Sequence, residues 1–258
     1  MHTVVVILNW NGVNHLQTYL PSVATFSNVP IYVIDNGSSD NSVHWLTENH
    51  PEIEIIQLEE NLGFAGGYNA GLKKINADRY VLLNSDVRVS SGWIESVNKS
   101  MLQNNWSICA PLILDDKNKE YYEYAGAAGG YIDKDGYMFC AGRLFHSTEK
   151  TNLNYNKDTE VFWASGAALF VDSKAWDEVN GLDADFYAHM EEIDLCWRLK
   201  SRGYKVGVCG TATVQHLGGG TLTASNPLKV FLNFRNNLLL LLKNQDGFPI
   251  LFITKRLL

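Results

Sequence analysis

Four short apolar segments alternate with helical patterns over the first hundred residues, and this alternation constrains the fold more than any other feature. The apolar segments lie at 4–8, 31–34, 53–58 and 80–83, and the helical patterns at 12–25, 40–48, 66–76 and 91–104. The continuous β-branched run at 4–8 is typical of a strand covered on both faces. Strands joined through helices form a parallel sheet with right-handed crossovers. The pattern predicts an α/β fold with a Rossmann-like, mostly parallel central sheet flanked by helices.

The second half of the chain has a different pattern. Residues 106–172 contain short apolar runs, many aromatics and Asp-Gly turns such as the one at 133–136. This pattern predicts additional strands or hairpins in a smaller mixed or antiparallel part, and not a second doubly wound unit. Farther along we expect a charged helix, two short strands and a final helix at 189–202, 205–209, 212–216 and 227–243. No linker divides the halves, so we expect one domain over residues 1–258.

Charge and cysteine usage narrow the class of protein. The net charge is −7 and no basic stripe is visible, so a nucleic-acid partner is not expected. The chain has four cysteines, Cys109, Cys140, Cys196 and Cys209, which form no CxxC pair and no zinc spacing. Cys109, Cys196 and Cys209 lie in apolar or helical runs, which predicts reduced, buried thiols at these three positions. The N-terminus shows no signal-peptide pattern. These features predict a cytoplasmic protein.

The C-terminal 28 residues contain a five-leucine run and then a second apolar stretch. Neither reaches the roughly 20 apolar residues that span a bilayer. A helix buried in the core explains the first run. The second, which ends at 255–258 with Lys-Arg-Leu-Leu, fits either an interfacial helix at the inner face of the cytoplasmic membrane or a core or partner contact.

Polar or glycine-rich residues follow each of the four predicted strands. Because the carboxyl ends of parallel strands meet at one edge of a sheet, where open α/β sheets bind ligands, these segments are expected to form one site. Four such ends converging on one edge indicate a nucleotide site. The candidates for nucleotide contact are Asn9, Trp10, Asn11, Asp35, Asn36, Asn61, Gly66, Gly67, Asn69, Asn84 and Ser85.

The segment at 61–71 is a glycine-rich loop that runs into a helix. Glycines let the backbone approach a ligand closely, and a helix N-terminus favours anions. The segment follows the third strand and is neither GxGxxG nor a P-loop, so it lacks both nucleotide fingerprints. A turn that simply starts a helix is the alternative.

Two aspartates follow strands directly. Asp35 can accept a hydrogen bond from a base or a ribose hydroxyl, although the surrounding residues 35–40 are also dense in turn formers. Asp86 suits the sparse oxygen ligation of magnesium or manganese, which take one or two carboxylates plus phosphate oxygens and water. A solvated carboxylate is the plainer alternative for Asp86.

The predicted helix at 189–202 opens with several carboxylates. Glu191 and Glu192 suit the positive end of the helix dipole, and Asp194 with Arg198 forms an i,i+4 pair. A partly buried carboxylate here can also serve as a general base. His216 ends an apolar run before three glycines, and it fits either a neutral imidazole ligand or a satisfied structural histidine.

Taken in order, these stretches resemble family 2 glycosyltransferases of the GT-A fold, particularly the bacterial rhamnosyltransferase-like branch. The matching stretches lie at 5–12, 33–40, 61–69, 84–87, 191–198 and 214–216. The resemblance implies inverting transfer of a sugar from a UDP- or dTDP-sugar to a glycan or lipid-linked glycan hydroxyl, in cell-surface polysaccharide assembly. It assigns 1–105 as the nucleotide-binding half, 106–225 as the acceptor-binding half and 226–258 as a helical, membrane-contacting segment.

The resemblance also implies roles for individual residues. Asp35 resembles the residue that contacts the base, and Asp86 resembles the metal-binding last Asp of the DxD motif. Asn84 replaces the first Asp of that motif, which leaves ribose contact open and argues against metal ligation by this residue. His216 resembles an additional metal ligand. The implied cofactor is Mn²⁺ or Mg²⁺, held by Asp86 and His216.

The family's acidic pair falls on Glu191 and Glu192. Glu192 takes the position of the usual catalytic Asp, with an arm longer by one methylene. We therefore assign the base to Glu192 first and to Glu191 second. Asp194 and Arg198 are expected to brace the helix.

Two other functions remain open at this point. A sugar nucleotidyltransferase would share the sheet and the metal, but it usually has a basic glycine-rich loop after the first strand, and residues 9–12 contain no Lys or Arg. A non-catalytic partner within a glycan assembly complex is compatible with Asn84 and Glu192, which both depart from the family pattern.

Overall fold

The computed structural model describes residues 1–151, 153–218, 226–245 and 253–254. Its strands are β1 Thr3–Asn9, β2 Ile31–Asp35, β3 Glu54–Gln57, β4 Arg79–Asn84, β5 Val87–Arg88, β6 Ile108–Asp115, β7 Gly130–Ile132, β8 Met138–Cys140, β9 Arg143–Leu144, β10 Ser147–Thr148, β11 Thr159–Glu160, β12 Ala168–Asp172 and β13 Val206–His216. Its α-helices are α1 Val13–Phe26, α2 Ser42–Asn49, α3 Gly63–Leu72, α4 Trp93–Asn104, α5 Ser173–Glu178, α6 Glu191–Lys200 and α7 Pro227–Asn244. Short 3-10 helices lie at Leu153–Tyr155 and Ala184–Phe186.

Nine strands form one sheet in the order β11-β13-β6-β12-β4-β1-β2-β3, with β5 paired to β13. The strands β4, β1, β2 and β3 run parallel to one another, as the strand–helix alternation predicts. In contrast, β12 lies antiparallel between β4 and β6. The predicted mostly parallel α/β sheet is confirmed, and strands of the second half extend it. The separate hairpins β7-β8 and β9-β10 supply the smaller antiparallel part.

The central sheet is covered on both faces, which explains the uninterrupted apolar run in β1. Val4 and Val6 belong to the hydrophobic cluster that also contains buried side chains of α3, α5 and α6. Val5 and Ile7 belong to the opposite cluster, which contains side chains of α1 and α4. Successive side chains of a strand point to opposite faces, so a strand between two layers must be apolar at every position.

The helix after the glycine-rich loop begins at Gly63 and ends at Leu72, whereas the sequence predicts 66–76. Several of its glycines serve packing. A Cβ on Gly71 would lie 2.1 Å from Ile34 Cδ1, and one on Gly67 would lie 2.8 Å from Leu8 Cδ1. The glycines therefore let α3 lie close against β1 and β2, and tertiary contact outweighs their poor helix propensity.

The two strands predicted at 205–209 and 212–216 are one strand, β13. Its register against β6 shifts between Cys209 and Thr213, and this irregularity interrupts the apolar pattern in the sequence. Beyond the shift, β13 continues to His216, which pairs with Val87 of β5. The length of β13 thus brings His216 to the edge where β4 ends.

The five-leucine run lies in α7, whose buried side chains include Leu232, Leu240 and Leu241. Within the described chain, no helix is long and apolar enough to cross a membrane. The second apolar stretch is described only at 253–254. Residues 255–258 and two glycines of the triplet, Gly219 and Gly220, lie outside the described residues.

Candidate active site

Asn9 and Asp35 meet at the carboxyl edge of the sheet because β1 and β2 pair in that register. Asn9 Nδ2 donates to Asp35 Oδ1 at 3.1 Å, and Ser38 N donates to Asp35 Oδ2 at 3.1 Å. Asp35 is 3% exposed, and Asn9 is fully buried. Asn9 Oδ1 has no hydrogen-bond partner among the described residues. The arrangement combines turn chemistry with a fixed polar pair, so both interpretations of Asp35 remain compatible.

The loop after β1 presents an aromatic side chain beside this pair. Trp10 is 45% exposed, a large open surface for a tryptophan. Asn11 Oδ1 accepts hydrogen bonds from Ser39 N at 2.7 Å and Asp40 N at 3.2 Å, and so ties the loops after β1 and β2 together. Trp10 is thus the open side chain of this loop, whereas the side-chain oxygen of Asn11 is used within the protein.

The backbone donors at the N-terminus of α3 have hydrogen-bond partners within the chain, and anion binding there stays a prediction. Leu62 N donates to Asn36 Oδ1, and Gly63 N donates to Asn61 Oδ1. The next two N–H groups, of residues 64 and 65, donate to the carbonyl of Tyr187 at 2.8 and 3.4 Å. The groups that would bind a phosphate therefore hold a loop from the second half of the chain.

Several other predicted nucleotide contacts also serve this junction. Asn36 Nδ2 donates to Asn61 Oδ1 at 3.0 Å and to Gly63 O at 2.9 Å. Asn69 exchanges two hydrogen bonds with the backbone of Leu182, at 2.6 and 3.0 Å. A Cβ on Gly66 would lie 3.0 Å from the Leu62 side chain. The nucleotide roles of these residues stay predictions. Within the chain, Asn69 holds α3 against the second half, whereas Asn36 joins the start of α3 to the loop after β2.

A second polar cluster lies where β4 and β13 end, at Asn84 and His216. His216 Nε2 lies 3.2 Å from Asp86 Oδ1 and 3.4 Å from Asn84 Nδ2. On the other side, His216 Nδ1 lies 3.9 Å from Glu123 Oε1, an ion-pair distance beyond hydrogen-bond range. Asp86, Glu123 and His216 are all buried. Ser85 lies at the same edge, 3.7 Å from where a Cβ on Gly12 would be.

Two carboxylates facing one imidazole stabilise a positive charge between them. Burial alone raises the pKa of Asp86, but the hydrogen bond and charge of His216 outweigh it and lower the pKa below its usual 3.8. Burial lowers the pKa of His216, whereas Asp86 and Glu123 raise it, to about 10. The surroundings therefore favour a cation here, and either a proton or a divalent metal ion provides one.

These side chains fit a sparse divalent metal site. Carboxylate oxygen with one imidazole nitrogen is a donor set suited to ions such as Mn²⁺. His216 Nδ1 is buried without a hydrogen-bond partner in the described chain. Among residues 1–151, 153–218, 226–245 and 253–254, no three His, Cys, Asp or Glu side chains form a metal-binding group. Asp86 and His216 would thus need ligands from a bound diphosphate and water, as Mg²⁺ sites commonly have.

Glu123 was not predicted from the sequence. It follows β6, a strand that the sequence pattern left unassigned, and its backbone N–H donates to Ile113 O at 2.9 Å. It stands among tyrosines in a segment with no strand-end pattern. No local signal marks it, because its proximity to His216 depends on the pairing of β6 with β13.

Glu191 and Glu192 begin α6 and differ in their surroundings. Glu191 is 5% exposed, and its Oε2 has no hydrogen-bond partner among the described residues. Burial, and then the charge of Glu192, raise the pKa of Glu191 well above its usual 4.5. Glu192 keeps part of its surface exposed, and burial raises its pKa to about 7, although backbone N–H groups oppose the shift. A carboxyl group that titrates near neutrality is suited to general-base catalysis.

The segment before β12 connects Glu192 to the end of β4. A Cβ on Gly166 would lie 3.5 Å from Glu192 Cγ, so the side chain of Glu192 packs over this glycine. The next residue, Ala167, accepts a hydrogen bond from Asn84 N at 3.0 Å. Glu192 is therefore only a short stretch of chain away from the segment that carries Asp86.

All four cysteines are free and buried, which confirms the prediction for Cys109, Cys196 and Cys209 and adds Cys140. Burial raises the pKa of Cys140 to about 12, with the charges of Glu123 and Glu192 adding to the shift. The charges of both carboxylates thus act on the pKa of this thiol.

Asp194 and Arg198 brace α6, as the sequence predicts. Arg198 Nε donates to Asp194 Oδ2 at 2.6 Å, and its guanidinium also donates to two backbone carbonyls. The fully buried Asp194 accepts further hydrogen bonds from Lys243 and Asn244 of α7. The buried charge is thus paired on both sides, and it fastens α6 to α7.

We expect Glu192→Gln to stabilise the protein at alkaline pH but not at acidic pH. Because folding raises the pKa of Glu192, its favourable contribution is present below about pH 4.5 and is lost as pH rises through about 7. At pH 8 the variant should be more stable than wild type by up to about 3 kcal/mol, since one pKa unit is about 1.4 kcal/mol. Urea unfolding of both proteins at pH 4.5 and 8 measures the difference. If the difference in the free energy of unfolding between variant and wild type is the same at both pH values, burial does not raise the pKa of Glu192.

Comparison with known proteins decides the family. The model of glycosyl transferase family 2 matches residues 4–172. This chain belongs to that family. As a family 2 glycosyltransferase it transfers sugar from a nucleotide-sugar in glycan biosynthesis, as the sequence motifs indicated, and the nucleotidyltransferase alternative is not favoured.

Two curated relatives cover most of the chain at low identity. The low-salt glycan biosynthesis hexosyltransferase of Haloferax volcanii is 23% identical over 243 residues, which are 91% of this chain and 74% of the relative. The N-acetylglucosaminyl-diphospho-decaprenol L-rhamnosyltransferase of Mycobacterium tuberculosis is 23% identical over 232 residues, which are 82% of this chain and 75% of that protein. The chain thus spans about three quarters of each relative.

Solved structures share the fold. A mannosyltransferase from Pyrobaculum calidifontis, solved with GDP-Man and Mn²⁺, superposes with a TM-score of 0.67 at 12% identity, over 96% of this chain and 65% of that one. GalNAc-T7, solved with UDP, GalNAc and Mn²⁺, gives a TM-score of 0.66 at 14% identity, over 84% of this chain and 44% of that one. At these identities the likeness establishes the GT-A fold of this family 2 glycosyltransferase.

Proposed function

We propose that this glycosyltransferase moves a sugar from UDP- or dTDP-sugar to a hydroxyl of a glycan or lipid-linked glycan, with inversion at the anomeric carbon and with Mn²⁺ or Mg²⁺ as cofactor. One observation carries the proposal: Asp35, the Asp86–His216 pair and Glu192 border one edge of the sheet, supplied by different strands and by α6. Such an edge is where α/β sheets bind ligands.

In this proposal the polar residues at the strand ends bind the donor. Asp35, positioned by Asn9, accepts a hydrogen bond from the base or the ribose, and the exposed ring of Trp10 offers a surface beside it. Asn84 and Ser85 contact the ribose in this proposal. Asp86 and His216 would hold the cation, which when bound offsets the charge of the diphosphate leaving group.

Glu192 acts as the general base. Its carboxylate accepts the proton of the acceptor hydroxyl as that oxygen attacks the anomeric carbon, and the bond from this carbon to the diphosphate breaks. The attacking oxygen must approach the face opposite the leaving group, so Glu192 and Asp86 should flank the sugar. Glu191, buried on the same helix, is the second candidate for the base.

The predicted contact of the C-terminal segment with a membrane surface belongs to the same proposal, since a lipid-linked acceptor lies at such a surface. Support comes from exposed apolar side chains of α7, notably Phe231 at 57% and Phe234 at 74% exposure. The chain after α7 adds an apolar stretch with Lys255 and Arg256 near its end, a pattern suited to an anionic interface. Flotation with anionic vesicles is the direct test of this contact.

A thermal-shift panel of UDP, dTDP, GDP and CMP, each with and without Mn²⁺ or Mg²⁺, tests the donor site. A ligand that binds only the folded state raises the melting temperature by mass action. We expect UDP or dTDP to stabilise the protein only when the metal is present, and the effective nucleotide identifies the donor base. If no nucleotide shifts the melting temperature with either metal, the donor site is misassigned.

A further inference from the structure

The backbone that leads into Glu191 and Glu192 is unusual. Three of the four residues before Glu191 have positive φ without being glycine: Tyr187 at 62°, His189 at 72° and Met190 at 71°. Side chains disfavour this left-handed region, so such residues persist only where their surroundings fix them. A feature that fixes this loop therefore also fixes where α6 begins and where its carboxylates lie.

The side chain of Asn236 in α7 makes three hydrogen bonds to the backbone of this loop. Its Nδ2 donates to the carbonyl oxygens of Phe186, Ala188 and His189 at 3.0, 2.8 and 2.7 Å. The residue is fully buried. The carbonyl of Tyr187 points the other way and accepts from the N-terminus of α3. The loop is thus held between two helices through its backbone.

Arg235 fixes the orientation of this amide. Its Nε donates to Asn236 Oδ1 at 2.9 Å, which leaves both N–H groups of Asn236 directed at the loop. Its Nη2 donates to the carbonyls of Asp185 and Phe186 at 2.8 and 2.9 Å. Together, Arg235 and Asn236 therefore donate hydrogen bonds to the backbone carbonyls of residues 185, 186, 188 and 189. Apolar packing of α7 against the loop would not require these hydrogen bonds.

We propose that Asn236, oriented by Arg235, is a positioning residue for sugar transfer: its amide holds the loop at 186–190, with its three positive-φ residues, and so sets where Glu192 presents its carboxylate. This inference rests on the proposed role of Glu192 as base. The hydrogen bonds of Asn236 in the described chain go to backbone carbonyls and to Arg235. Its loss should therefore change the loop without removing a charge from the site.

The test compares Asn236→Ala with Leu240→Ala, a packing control in the same helix whose side chain is also fully buried. We expect Asn236→Ala to lower kcat at least tenfold while the nucleotide Kd stays within twofold, because β1, β2, β4 and β13 carry the donor site. Leu240→Ala should lose a similar amount of stability but keep kcat within about twofold. Arg235→Met, which keeps the apolar stem on the partly exposed side of α7, should show the Asn236→Ala effect in weaker form.

The pH profile of kcat is a readout that a purely structural role would not move. Activity needs the Glu192 carboxylate, so it falls as pH drops through the pKa of Glu192, which burial raises to about 7. If the loop loosens, water reaches Glu192 and its pKa falls. The acidic limb of the kcat–pH profile of Asn236→Ala should therefore lie at least half a pH unit below that of wild type. The titratable groups around Glu192 are Glu191 and Cys196 on α6 and Cys140 on β8, and all three are present in every variant.

Hydrogen–deuterium exchange separates this inference from the proposed function. Faster exchange over residues 184–192 in Asn236→Ala than in Leu240→Ala supports positioning of the loop, even if wild type transfers no sugar and the proposed function fails. Equal exchange in the two variants, or a kcat and acidic limb in Asn236→Ala that match those of Leu240→Ala, overturns the inference.

Discussion

Replacing Glu192 with glutamine is expected to lower kcat by about 10²–10⁴-fold, the usual contribution of a positioned general base. Glutamine keeps the length of the side chain but cannot accept the proton of the acceptor hydroxyl. Nucleotide binding should be unchanged, because Asp35, Asp86 and His216 lie on other elements. Initial rates at saturating donor and acceptor, with nucleotide Kd measured separately, check both expectations.

Two further variants make this result specific. Glu191→Gln should reduce kcat less, because Glu191 is buried beside the reacting edge and Glu192 keeps part of its surface exposed. Glu95→Gln, an exposed carboxylate in the first turn of α4, is the matched control and should be as active as wild type. A large loss in Glu191→Gln with near-normal activity in Glu192→Gln would transfer the role of base to Glu191.

Asp86→Asn is expected to remove the metal-dependent stabilisation by nucleotide and to abolish measurable transfer. In wild type, nucleotide at 100 times its Kd with saturating metal should add about 2.7 kcal/mol of stability. For a chain of this size that corresponds to a rise in Tm of about 5–10 °C. Asparagine preserves the shape of Asp86 but removes the charge that attracts a cation next to His216. Each protein is compared with its own nucleotide-free Tm, so that a change in intrinsic stability does not enter.

Asp177→Asn is the control for that experiment. Asp177 is an exposed carboxylate on α5, which follows β12 at the opposite edge of the sheet, where Asp172 pairs with Arg79. It should show the full nucleotide shift. A shift in Asp86→Asn equal to that of Asp177→Asn would rule out Asp86 as a ligand of the nucleotide-bound metal.

The first half of the chain illustrates how far local pattern determines the fold. Parallel strands covered by helices must be apolar throughout and must end at one edge, so the runs at 31–34 and 80–83 predict both the strands and the place of Asp35 and Asp86. The pattern failed where a strand departs from local rules. β13 was divided in two because its register shift interrupts the apolar run. β6 and β12 lie among the short apolar runs of 106–172, from which strands were predicted without bounds.

By itself, the sequence determined the layered α/β sheet, the edge at which polar side chains gather, and the family to which the chain belongs. These depend on short-range periodicity and on residues adjacent to strand ends. Only the tertiary structure decided that Glu123 faces His216, that Tyr187 occupies the N-terminus of α3, and that α7 holds the loop before Glu191. Each of these contacts joins residues far apart in the chain. Their proximity follows from strand order and helix packing, which no local pattern of residues encodes.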